Sequence, residues 1–152
     1  MSDEKKILEQ RLTDPEQRFL YNLAVKNFKT ANYQRALPVF QFLVLEDNNN
    51  YLYLKSLAAC YYSLKEYWMA LATYEQCLLV SSAEERFECL YYMGMCHFEL
   101  TAYAAAKVAF DNFLDSSPTN ATLIKKARLY LEAIGQMDLS AIDGSDGDEV
   151  DN

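Results

Sequence analysis

Apolar residues recur along this chain at helical rather than strand spacing. Leu20, Leu23, Ala24 and Asn27 fall on one helical face, Thr30 to Tyr33 reads as a turn, and Ala36, Phe40 and Leu43 continue at i, i+4 and i+7. The figure then returns. Leu20, Leu23, Ala24, Tyr33, Ala36, Leu37 and Phe40 are matched 34 residues later by Leu54, Leu57, Ala58, Tyr67, Ala70, Leu71 and Tyr74. A further 36 residues on stand Leu90, Met93, Gly94, Tyr103, Ala106 and Phe110, which places a two-residue insertion in the Ser81 to Arg86 connection. Three units of two amphipathic helices are predicted, because self-similarity at this period marks a stacked helical array. The small residues Ala24, Ala58 and Gly94, with Ala36, Ala70 and Ala106, fall where paired helices must approach, since bulk there would hold the axes apart.

Start and stop signals frame these units. Thr13 followed by Glu16, with Pro15 in the first turn, reads as a capping box opening the first repeat helix. Pro118 closes the third unit. Ala121 to Ile134 then reads as one more helix, with Lys125, Lys126 and Arg128 on its polar side and Gly135 just past its end, covering the last apolar face. Pro38 stands inside a predicted helix and should lie near its first turn, where a lost donor costs least. The predicted organisation is a helical N-terminal segment over 1–15, repeats over about 17–50, 51–86 and 87–120, a closing helix over 121–134, and an acidic disordered tail over 137–152. Ile7, Leu8 and Leu12 line one side of the N-terminal segment, where they can pack on the first repeat.

Composition sharpens the picture. With three prolines and four glycines in 152 residues the fold class is all-α. The 51% hydrophobic content excludes disorder of the whole chain, and a net charge of -8 with 14 Lys and Arg speaks against nucleic acid as a partner. The longest uncharged stretches are ten residues, too short to insert in a membrane, and no secretory signal is visible, so the expected location is the cytoplasm. The four cysteines form no Cys-x-x-Cys pair and read as buried apolar residues. Cys89, Cys96 and His97 do not make a metal site, because adjacent helical side chains diverge by about 100°. His97 has no Ser or Cys partner at a motif spacing and no phosphate-binding Gly-rich loop occurs, so neither enzyme activity nor a cofactor is expected.

The 34-residue unit resembles the tetratricopeptide repeat over residues 17 to 118, with its order of Leu, small, aromatic, Ala, aromatic and final Pro; Asn48 and Ser82 replace that proline in the first two units. Stacked pairs of this kind curve into a right-handed superhelix whose first helices line a concave groove. The groove stripe is then Tyr21, Val25 and Phe28 in the first unit, Leu52, Lys55, Ala59 and Tyr62 in the second, and Glu88, Tyr91, Met95 and Phe98 in the third. Leu20, Leu23 and Leu57 already fill the core stripe, so this second, mostly apolar stripe needs a partner. Repeat proteins that hold the acidic tails of heat-shock chaperones carry cations on this stripe; Tyr21, Val25, Ala59, Tyr91 and Met95 do not supply them.

Leu20 to Phe28, Val39 to Leu43 and Ala127 to Ile134, together with the small acidic chain, are similar to the class II chaperones of bacterial type III secretion systems. That resemblance implies a cytosolic chaperone that keeps hydrophobic translocators soluble and unassembled before export. An extended segment of the translocator's N-terminal region would lie in the groove, with Tyr21 and Phe28 on one side of the anchor pockets, Ala59 and Tyr62 as floor, and Tyr91, Met95 and Phe98 as the far wall. It also implies a homodimer through Ile7, Leu8 and Leu12. The rival reading is a repeat scaffold or adaptor joining two cytoplasmic proteins, which a charged groove would favour. A transcriptional regulator is a third class of partner, on which the sequence is silent. Trp68, opening the second helix of unit two, either packs or marks another contact surface.

Overall fold

Seven helices and no strand make up residues 15–143, the part of the chain described by a computed structural model, with side chains through Asp138. They are α1 (Pro15–Lys29), α2 (Tyr33–Glu46), α3 (Tyr51–Ser63), α4 (Tyr67–Val80), α5 (Ala83–Glu99), α6 (Tyr103–Asp115) and α7 (Ala121–Asp143). Their order is the predicted one, three helical hairpins and a closing helix. Thr13, the segment bearing Ile7, Leu8 and Leu12, and the acidic run from Gly144 lie outside the described residues.

Local chemistry sets the helix ends. The Asn50 side chain accepts from the Leu52 and Tyr53 N–H groups at 3.1 and 3.3 Å, and Asn120 accepts from the Leu123 N–H at 3.2 Å. Before α5 the Ser82 N–H donates to Glu85 at 2.7 Å and the Glu85 N–H to Ser82 Oγ at 3.4 Å, a capping box. That cap winds Ala83 to Arg86 into helix, so the predicted insertion lengthens α5 to 17 residues instead of enlarging a loop. The hairpin turns share one device. Ala31, Lys65 and Thr101 take φ of 60°, 63° and 60°, and the next N–H in each turn reaches back to the carbonyl of Asn27, Tyr61 or His97.

The chain divides into two units, one ending at Cys89 and one beginning at Leu90. In the first, α1 packs on α2, α2 on α3 and α3 on α4, with Ala24, Ala36, Ala58 and Ala70, one from each helix, fully buried. Phe40, Leu43, Leu54, Tyr74 and Cys77 fill the space around them. In the second, Phe110 and Phe113 form the core with buried Ala106 and Cys96. A Cβ on Gly94 would fall 2.7–2.9 Å from the Phe110 ring, which explains glycine at a position held by alanine in the other units. From α7, Tyr130 stacks on Phe110 at 4.9 Å and meets Phe98 edge-on at 4.9 Å.

Three expectations are corrected. The closing helix does not stop at Ile134. It continues to Asp143, so 137–143 is helix rather than disordered tail. Gly135 keeps a helical φ instead of the left-handed one a terminator needs, because its neighbours sustain the stripe Leu123, Ala127, Tyr130 and Ile134. Pro38 sits five residues past the start of α2, beyond the first turn, and deprives the Gln34 carbonyl of its helical donor. Leu23 is 41% exposed and Leu20 half-buried, whereas Leu57 is buried. The inward face of α1 is instead Gln17 and Ala24, because α3 packs extensively on both α2 and α4 while α1 packs extensively on α2 alone.

The two glycines should respond oppositely to alanine. Gly94→Ala forces a methyl into an immobilised ring, and after about 1 kcal/mol regained from helix propensity a net loss of about 1–2 kcal/mol is expected in urea unfolding. Gly135→Ala meets nothing within 4 Å and should stabilise by about 1 kcal/mol. The cysteines give a second check. All four are buried and free; burial pushes Cys60 up to about 11 and Cys96 up to about 12 from an ordinary 9.0. Thiol titration should find none reactive in the folded chain and four in denaturant. Because these folded-state values are raised, their share of stability is intact below pH 9.0 and lost as pH climbs through about 11 and 12.

Candidate functional site

Tyr21, Val25 and Phe28 recur at i, i+4 and i+7 on α1, and Leu52, Lys55, Ser56 and Ala59 form the facing stripe on α3. Between them opens a pocket of about 300 Å³, floored by Phe40 from α2 and edged by Lys29. Beside Leu52 and Lys55, Ser56 and Ala59 bring only a hydroxymethyl and a methyl to the α3 side, which leaves it room to stay open. The Tyr21 ring lies 6.1 Å from Phe40 and 5.6 Å from Tyr53, and its hydroxyl meets Ser56 Oγ at 3.2 Å. Tyr53 is itself buried and donates to Gln17 at 3.5 Å, so the Tyr21 wall is braced from behind. Apart from buried Phe40 and exposed Leu52 and Lys29, the lining is half-buried, wet in the free chain and coverable by a ligand.

One ion pair borders the pocket. Lys55 donates to Glu88 of α5 at 2.5 Å, each side chain about a third exposed, and its ammonium lies 5.8 Å from the centre of the Tyr51 ring. Tyr51 donates to the Glu85 carbonyl at 3.4 Å, and burial pushes its phenol well above the usual range. The pair therefore rests on a fixed aromatic base. Beneath it Cys77 is held protonated by its hydrogen bond to Cys89 and by burial.

Six of the predicted groove residues, Tyr21, Val25, Phe28, Leu52, Lys55 and Ala59, thus share one pocket, with Glu88 attached through Lys55. Tyr62 is half-buried and edge-on to Tyr67 at 5.3 Å, outside that lining. In the second unit Met95 and Phe98 are half-buried, Phe98 edge-on to Tyr103 at 5.4 Å. Tyr91 is a correction. It is 2% exposed, its ring 5.8 Å from Phe110 and 5.6 Å from Phe113, and burial raises its phenol to about 12. It therefore cannot serve as a groove wall. The cause is α7, which brings Tyr130 over the core that Tyr91 shares with Phe110. Trp68 is 71% exposed on α4 and does not pack.

Three lining residues escape the sequence reading. Phe40 comes from a second helix of a pair, whereas the repeat pattern places the groove on the first helices. Ser56 and Lys29 were legible, each four residues after a chosen position, Leu52 and Val25. Among the described residues no group of three His, Cys, Asp or Glu side chains could hold a metal ion. The arrangement offers an apolar socket with cationic edges, suited to holding a side chain from another molecule.

No family model matches the chain, and no curated protein sequence matches it. Solved structures do. The Yersinia enterocolitica type III secretion chaperone SycD, in complex with a peptide of the translocator YopD, superposes with a TM-score of 0.75 at 20% identity, covering 84% of this chain and 98% of SycD. PcrH, a Pseudomonas aeruginosa protein solved with the chaperone-binding region of PopD, gives 0.71 at 25% identity over 88% of this chain and 95% of its own. The first repeat domain of Spaghetti (RPAP3), bound to the Hsp90 peptide SRMEEVD, gives 0.67 at 19% identity over 78% of this chain and 93% of that domain. The likeness settles the fold: the helices are arranged as in the tetratricopeptide-type fold of the type III secretion chaperones SycD and PcrH.

Proposed function

We infer that the chain is a cytoplasmic chaperone of bacterial type III secretion, which binds an extended apolar segment of a translocator and keeps that protein soluble and unassembled before export. The observation that carries this reading is the open socket between α1 and α3, lined by six of the eleven residues that repeat spacing assigns to the groove stripe. SycD and PcrH, which share the fold, were solved with translocator segments bound. The Hsp90-binding repeat domain shares the fold too, so the fold alone does not choose the ligand. The lining favours an apolar segment: Tyr21, Val25, Phe28, Leu52, Phe40 and Ala59 make up most of it, and of its two cations, Lys29 and Lys55, Lys55 is already paired to Glu88.

The energetics suit a carrier. A pocket of about 300 Å³ is at the small end of ligand sites, so it takes one side chain rather than a compact metabolite. Burying a Leu- or Phe-sized anchor contributes about 1.5–3 kcal/mol, and an extended segment must be ordered as it binds. Several anchors are then needed for useful affinity, and their loss one by one allows release. Tyr62, Met95 and Phe98 are further candidate contacts in their own units. The same reading makes the chain a binding protein without catalytic activity, and a homodimer through Ile7, Leu8 and Leu12 belongs to it. No helix among the described residues is long and apolar enough to cross a membrane.

Co-expression with a candidate translocator that is insoluble on its own should bring that protein into the soluble fraction. Ala59→Trp plugs the socket and should return the translocator to the pellet while leaving the chaperone's helicity unchanged. Soluble translocator in the presence of Ala59→Trp would overturn the reading. Tyr91→Ala should act differently, lowering stability by about 3–5 kcal/mol through the cavity it leaves in the second unit, as thermal unfolding would record.

A further inference from the structure

The chain carries a net charge of -8, yet both charged residues lining the first-unit socket, Lys29 and Lys55, are cations. Their situations differ. Lys55 is paired with Glu88. Lys29 is exposed and joins no ion pair among the described residues. As the last residue of α1 it adjoins Phe28, whose ring forms part of the same wall. Its aliphatic stem can lie along that wall while the ammonium stays at the mouth in water. This is peculiar to the first repeat, since the matching positions are Ser63 and Glu99.

Resting on the groove reading above, we propose that Lys29 makes the socket selective for an apolar anchor with an acidic residue two positions away in the same extended segment. In an extended chain side chains alternate faces, so the residue two along points the same way as the anchor, about 7 Å from it. A lysine side chain at the socket's edge spans that distance. The anchor enters over Phe40 and Ala59, and the carboxylate meets Lys29 at the mouth. An exposed pair of this kind adds little affinity but favours acidic over basic neighbours, and its attraction weakens as salt screens it.

A phage-displayed library of random dodecapeptides, selected on the full chain, tests this directly. Selected peptides should share a large aliphatic or aromatic residue with Asp or Glu two positions away. In fluorescence anisotropy, replacing that acid by its amide in a synthetic selected peptide should weaken binding about two- to fivefold at low salt and less at high salt. Selection on Lys29→Glu, its helicity checked by circular dichroism, should keep the apolar residue and replace the acid with Lys or Arg. An apolar residue without acidic bias, or the same acidic bias on Lys29→Glu, overturns the selectivity of Lys29 and leaves the groove reading standing. No binders, no apolar enrichment, or peptides that bind Ala59→Trp equally well would overturn the groove reading itself.

Discussion

Close approach of paired helices is the constraint from which the rest of this structure follows. Ala24, Ala36, Ala58, Ala70, Gly94 and Ala106 are all buried, two in each hairpin, and none puts more than a methyl between its helix and the next. At Gly94 even a methyl is too much, because the Phe110 ring already occupies the space. Once the helices are this near, the large side chains at the flanking positions, Phe40, Tyr74 and Phe110, have one place to go, and they make the core. The opposite stripe of each first helix is then free for other use.

What becomes of that stripe is not uniform. Tyr21, Lys55 and Tyr91 hold equivalent repeat positions and meet three fates. Tyr21 walls an open socket, Lys55 edges it while bound to Glu88, and Tyr91 is sealed among Phe110 and Phe113. The difference comes from the helix beyond. In the first unit that helix is α3, with Ser56 and Ala59 at its face; in the second it is α7, with Tyr130. A small neighbour leaves a site and a large one makes core, so binding capacity is decided by residue size on the next element.

Where local rules act alone, residues and structure agree. The turn residues Ala31, Lys65 and Thr101 keep the repeat spacing in their left-handed φ, and Asn50 and Asn120 cap as asparagine should. The Ser82 and Glu85 capping box was equally readable, and it absorbs what looks on paper like a looser connection. Gly135 misleads because it is a weak breaker against a strong stripe. A glycine costs a helix about 1 kcal/mol, less than the burial of Leu123, Ala127 and Ile134 sustains, and α7 runs through it.

Period and residue size along the chain were enough to determine the all-α class, the three hairpins, the closing helix and the small-residue contacts, because these depend on neighbours within one hairpin. Six members of the socket were legible for the same reason, being spaced along two helices of known face. Only the tertiary structure could decide that Phe40 is the floor, that Lys55 is held by Glu88, and that Tyr91 belongs to the core. Each of these turns on a side chain from a different helix, more than ten residues away, and periodicity along a single helix carries no information about what faces it.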